Sequence, residues 1–173
     1  MLKIRQIVLF LTSVCLAVLL AACAPAATTG VNLPDGSNLP MGSIAVLKNG
    51  TDFAAISVST IGATALTASF TKKGGVVEEH AYQVTALSTL LEKSGLAGID
   101  GITQVVITAK DGYAAVFTLE EIQQADNVYL ASQIDSQPIK GSDGKPAAMV
   151  LAKGDDFSNR WVNDILKIDI ITG

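Results

Sequence analysis

Past residue 23 this chain of 173 residues contains no cysteine; its two thiols are Cys15 and Cys23. A domain without a thiol forms no disulfide, binds no metal through thiolate and carries no cysteine nucleophile. Aromatic residues are scarce, at 5%, so a core must be assembled mainly from Val, Ile, Leu and Ala. Such a core suits packed sheets better than an aromatic-lined cofactor box. Histidine occurs once, as His80. The basic residues Lys72, Lys73, Lys110, Lys140, Lys145, Lys153, Arg160 and Lys167 are scattered and form no stripe. That distribution argues against nucleic acid as a partner. No Gly-x-Ser-x-Gly run is present, and nothing around His80 completes a catalytic triad, so a serine hydrolase is not supported.

What the chain does have begins with its first residues. Lys3 and Arg5 precede an apolar run of about 16 residues, Ile7 to Ala22, interrupted only by Thr12 and Ser13. A positive start, a short apolar stretch and small residues before a break describe a secretory signal. The run is shorter than the ~20 residues of a comfortable transmembrane helix. Its end, Leu20-Ala21-Ala22-Cys23, resembles a bacterial lipobox. That signal implies cleavage before Cys23 and diacylation of its thiol, with palmitate-like chains serving as the anchor. Two acyl chains hold a protein on a membrane stably where one does not. Residues 1–22 are therefore expected to be a lipoprotein signal peptide and 23–42 a disordered tether rich in Ala, Pro, Thr and Gly. Residues 43–173 are expected to form one domain, anchored outside the cytoplasm to the cell membrane or outer membrane. Without Lys3 and Arg5 the chain has ten basic against sixteen acidic residues, a formal −6.

Within that domain, Val105-Val106-Ile107 reads as a buried strand and Lys110-Asp111-Gly112 as a hairpin turn, with Tyr113 to Phe117 as the returning strand. Thr118 followed by Glu121 has the form of a capping box opening a helix from Leu119 to Ala125. Further strands are expected at 43–47, 53–58, 64–71, 76–84, 128–133 and 147–152, with a polar turn region over 134–144. Leu87, Leu90, Leu91 and Leu96 predict a helix over 85–96, ended by Gly95 or Gly98. A long closing strand from Arg160 to Ile171, bulged near Asn163 and Asp164, ends the chain. Many strands with two helical insertions predict an α+β domain, β-rich with mixed sheets.

The order of these elements from Leu87 onward resembles the sulfite-oxidase-type molybdopterin-binding domain. The resemblance is carried by LSTLLEKSGL (87–96), VVITAKDGYAAVFTLEEI (105–122), VYLASQIDSQPI (128–139) and AAMVLAKGDDFSNRWVNDILKIDI (147–170). In that family a cysteine thiolate ligates molybdenum, and basic and polar groups bind the pterin phosphate. This chain has no cysteine to supply the ligand, and Arg160 is the one basic residue carried over, where the family commonly has Lys before Trp. The resemblance thus implies a scaffold kept and a metal site lost.

Three kinds of site residue follow. Cys23 is the lipidation site. Tyr113, Phe157, Arg160 and Trp161 are the candidate pocket, because in the related fold the hairpin and closing strand lie near the cofactor cleft. Their plainer readings are half-buried packing for Tyr113 and Trp161, and a surface ion pair with Asp155 or Asp156 for Arg160. His80, without a second ligand nearby, reads as an exposed or edge-strand residue, and no catalytic or metal-ligating residue is assigned. Asp155-Asp156 with Ser158 and Asn159 reads as a solvated loop, and Glu120-Glu121 as helix-start acids. The function expected is a lipid-anchored, non-catalytic binding or interaction module taking a small molecule or an envelope protein. The alternatives are a redox protein retaining molybdopterin or a tetrapyrrole, and a purely structural envelope lipoprotein. An unpaired Arg160 guanidinium in a pocket would favour the binding module.

Overall fold

The computed structural model describes residues 31–32, 38–71, 74–96, 101–155 and 158–173. A mixed sheet and an antiparallel sheet face each other across one main core, in keeping with the α+β reading. The first sheet is built from β3 (Ser43–Lys48), β4 (Thr51–Ser57), β7 (Ile102–Ala109), β8 (Ala114–Thr118) and β12 (Ile165–Thr172), in the order β4-β3-β12-β7-β8. β12 runs parallel to β3 and antiparallel to β7, so the end of the chain closes the sheet beside the strand that opens it. In the second sheet β5 (Thr64–Thr71) pairs with β6 (Val77–Ala86), and β6 pairs with β9 (Val128–Ile134). The far edge of β9 is shared by β10 (Gln137–Pro138) and β11 (Met149–Ala152), both antiparallel to it.

Between the sheets lie Ile44, Val46, Ile107, Phe117, Ile168 and Ile170 of the first and Leu130, Val150 and Ala152 of the second. These are the β-branched and aliphatic runs that identified the strands, and burying them drives the sheets together. α1 (Leu87–Leu91) and α2 (Leu119–Gln123) plug the core with Leu87, Leu90, Leu91 and Ile122.

Several local expectations hold and others are corrected. The Lys110-Asp111-Gly112 loop is a tight hairpin: Gly112 takes φ +89°, and the Asp111 carboxylate accepts from the Tyr113 N–H at 2.9 Å. Both halves of the Thr118–Glu121 capping box form. The helix expected over 85–96 is α-helical only over Leu87–Leu91. Ala86 remains in β6, and the next turn widens to the π form until Gly95, at φ +80°, ends it. The polar region 134–144 contains β10, which hairpins back onto β9. The expected closing strand from Arg160 is shorter: Ser158–Arg160 is a 3₁₀ turn, and β12 starts only at Ile165. Asp164, at φ +51°, breaks the extended run, so Arg160 and Trp161 sit on a connection and not on a strand. Within the expected tether, β1 (Val31–Asn32) pairs with β2 (Asn38–Leu39), and Leu39 packs against Ala45 and Leu47 on the outer face of the first sheet.

Candidate functional site

The outer face of the second sheet carries its own apolar cluster, and this positions the site. β6 alternates, sending Glu78, His80, Tyr82 and Val84 to one side; β5 sets Phe70, Ala68 and Leu66 opposite the first three. Ala131 and Ile134 of β9 and Met149 and Leu151 of β11 extend the same face. Trp161 lies over it from the connection before β12. Its backbone N–H reaches the Ser158 carbonyl at 3.0 Å, and its indole N–H donates to the Ala152 carbonyl at 3.1 Å. Those two bonds fix the ring without its packing partners having to do so.

The result is a cleft of about 460 Å³ whose floor is Tyr82, Met149, Ile134 and Ile139. Phe70, His80, Tyr82 and Trp161 touch in a circuit, with ring centroids 5.6 to 6.2 Å apart. Tyr82 is fully buried, and burial first, then the Asp135 and Glu78 charges, push its hydroxyl up to about 12, so it keeps its proton. Pro138, Lys140, Ser158 and Asn163 also line it.

His80 is the polar centre of the aromatic side. Its Nδ1 lies 2.6 Å from the Asp135 carboxylate, whose other oxygen accepts the Ala81 N–H at 3.0 Å. Its Nε2 is 3.6 Å from Glu78. The Asp135 hydrogen bond raises the imidazole above its ordinary value, burial opposes, and the neighbouring charges of Asp135 and Glu78 add to the rise. The strand is central, between β5 and β9, so the edge-strand reading of His80 is corrected. Its place was signalled by the alternation Glu78-His80-Tyr82-Val84, but the partner strands that complete the cleft left no local mark.

The four pocket candidates part company. Trp161 lines the cleft. Phe157 lies outside the described residues, as does Asp156. Arg160, one residue before Trp161, points into a separate corner: its Nε donates to Asp155 at 2.9 Å and its Nη1 to Glu121 at 2.8 Å and to the Val116 carbonyl at 3.2 Å. Nη2 pairs with the second Asp155 oxygen, and the guanidinium rests 4.7 Å above the Phe117 ring. The Asp155 pair expected from the sequence is therefore real, and the guanidinium is not free, so the discriminator that an unpaired Arg160 would have supplied is gone. Tyr113 is half exposed, and its hydroxyl donates to the Asn159 carbonyl, outside the cleft. Glu121 is raised by burial, but the Thr118 N–H and Arg160 outweigh this and hold it below the usual carboxylate range. Asp126, just beyond α2, pairs with Lys153 at 2.5 Å. Among the described residues no group of three or more His, Cys, Asp or Glu could hold a metal ion.

A mixed sheet facing an antiparallel one, with short helices at the core's edge, defines a β-rich α+β domain resembling the sulfite-oxidase-type fold. Among solved structures, the sulfane dehydrogenase SoxCD from Paracoccus pantotrophus matches with a TM-score of 0.57 and 16% identity. The match covers 75% of this chain and 38% of that one, and at such identity it shows the fold alone. No family model and no curated protein sequence matches the chain.

The residues present do not fit the molybdopterin that the resemblance implies. No described residue is a cysteine, and a soft metal has no other soft thiolate here. The one carried-over cation, Arg160, faces two carboxylates, which leaves that corner net negative and unsuited to a pterin phosphate.

Proposed function

We propose that this protein is a lipid-anchored binding module working outside the cytoplasm, without catalysis of its own, that takes a small molecule in the cleft beneath Trp161. The observation that carries this reading is the cleft itself. Its volume of about 460 Å³ lies within the ~300–1,000 Å³ of small-molecule sites, and a mostly apolar lining with a few polar groups is the usual composition of one. The thiol-free domain supports binding over redox chemistry. The apolar leader ending in Leu20-Ala21-Ala22-Cys23 supports attachment to a membrane.

The test uses protein purified from the membrane fraction of its own host after growth with an alkyne-tagged palmitate. Label on the wild type and none on Cys23→Ala is the expected result; unlabelled wild type overturns the anchor. On the same preparation, metal content by plasma mass spectrometry and a visible spectrum are expected to show neither molybdenum nor a chromophore. A stoichiometric amount of either overturns the non-catalytic reading and puts a redox protein in its place.

A further inference from the structure

The charges around the cleft select among ligands, and this step rests on reading the cleft as a ligand site. None of the described residues that line it is acidic. The Asp135 carboxylate beside His80 is spent twice over, on His80 and on the Ala81 N–H. His80, held between Asp135 and Glu78, therefore brings no uncompensated positive charge even when protonated. Lys140 is different. It follows Ile139 out of the β10 hairpin and lines the rim, and its ammonium makes no ion pair or hydrogen bond among the described residues. Ser158 and Asn163, also on the rim, have side chains with no partner among the described residues. Their hydroxyl and amide offer donors beside the ammonium.

An apolar floor with one uncompensated cation on its rim suits an amphipathic monoanion. Among the described residues a cationic ligand finds no free carboxylate to pair with, and a phosphate-like dianion finds only one positive charge where it needs more. We propose that the cleft takes a small apolar or aromatic molecule bearing a single carboxylate. Its hydrocarbon body lies on Tyr82, Trp161, Met149 and Ile139, and its carboxylate meets the Lys140 ammonium, with Asn163 and Ser158 donating alongside. The Trp161 indole N–H is not a ligand donor, because Ala152 already takes it.

Trp161 is the only tryptophan in the chain, so its fluorescence reports on this cleft alone. The experiment places the lipidated protein in phosphatidylcholine vesicles, with protein-free vesicles as the blank. It titrates three probes that share one ring and chain, 4-phenylbutyrate, 4-phenylbutanol and 4-phenylbutylamine, exciting only tryptophan. The expected result is saturable binding in the order carboxylate, alcohol, amine. Lys140→Ala is expected to weaken the carboxylate roughly fivefold, the scale of one exposed ion pair, and to leave the alcohol unchanged. Lys140→Arg keeps the preference, and circular dichroism confirms that both variants fold. Equal binding of all three probes, or tightest binding of the amine, overturns the carboxylate assignment while leaving the cleft a ligand site. No saturable response to any probe overturns the ligand site itself.

Discussion

Arg160 and Trp161 are neighbours in the chain and serve opposite regions of the molecule. Around Arg160 the charged and hydrogen-bonding groups answer one another. The guanidinium takes Asp155, Glu121 and the Val116 carbonyl, Glu121 takes the Thr118 N–H, and Tyr113 takes the Asn159 carbonyl. Around Trp161 the apolar floor is well packed, but the rim holds an ammonium, an amide and a hydroxyl that no described residue answers. A closed network gives up no hydrogen bond to a ligand without breaking one of its own, and so it stabilises. An open rim over a finished apolar floor has its donors still to spend on something else. The resemblance that drew attention to both residues could not separate them; the direction each side chain takes from the 3₁₀ turn does.

The largest effect should come from under the closed network. Phe117 is completely buried in the main core and lies 4.7 Å beneath the guanidinium. Phe117→Ala should cost about 3–5 kcal/mol, the usual range for removing a buried aromatic ring. Urea unfolding followed by circular dichroism measures it. A cost under about 1 kcal/mol would mean the corner is loosely packed, and the contrast with the cleft would fail.

Arg160→Met comes next. It keeps much of the stem's packing but leaves Glu121 and Asp155 facing each other without their cation, for a loss of about 1–2 kcal/mol once partial exposure is allowed for. The pH dependence sharpens this. Because Glu121 is held below its ordinary value, it contributes stability above the unfolded glutamate range, and that contribution is lost as pH falls through the lower folded value. Unfolding measured between pH 7 and pH 3 should therefore fall more steeply for the wild type than for Arg160→Met. Parallel curves would show that the arginine does not reach the carboxylate in solution.

What the sequence disclosed about these regions follows the range of the forces involved. The capping box and the Asp-Gly hairpin are written within four residues, so Thr118, Glu121 and Gly112 could be read directly. Arg160 with Asp155 is a five-residue relation and was also legible. The cleft is not local: Phe70, His80, Tyr82 and Met149 meet only once β5, β6, β9 and β11 pair in one register. Helix length failed for a related reason, since leucine spacing marks an apolar face but not the point at which β6 ends and the π turn takes over. His80 was discounted for want of a second metal ligand, and its partners proved to be a carboxylate 55 residues away and a set of rings.

Thr118→Ala tests whether the closed network is one unit. The Thr118 hydroxyl accepts the Glu121 N–H at 3.2 Å, while Glu121 accepts the Thr118 N–H at 2.8 Å with one oxygen and Arg160 with the other. Losing the cap should cost about 1 kcal/mol. Combined with Arg160→Met, the two losses should differ from their sum by more than about 0.5 kcal/mol, because they share Glu121. Strict additivity would reduce the network to separate pairs.

The smallest change probes a polar group on the cleft side that is already answered. His80 is the only histidine, so its ring proton resonances titrate without ambiguity. With Asp135 in place the midpoint should lie above the ordinary value of about 6.5. Asp135→Asn should bring it down, because the first cause of the rise is the hydrogen bond to that carboxylate. The sign for stability follows. A raised histidine contributes below its unfolded value and loses that contribution as pH rises through the folded one. The wild type should thus weaken slightly from pH 6 to pH 8, and Asp135→Asn should lose that slope. An unchanged midpoint in the variant would mean that His80 is free of Asp135. Asp135 would then have its charge unspent beside the cleft, and a cationic ligand would find a partner there.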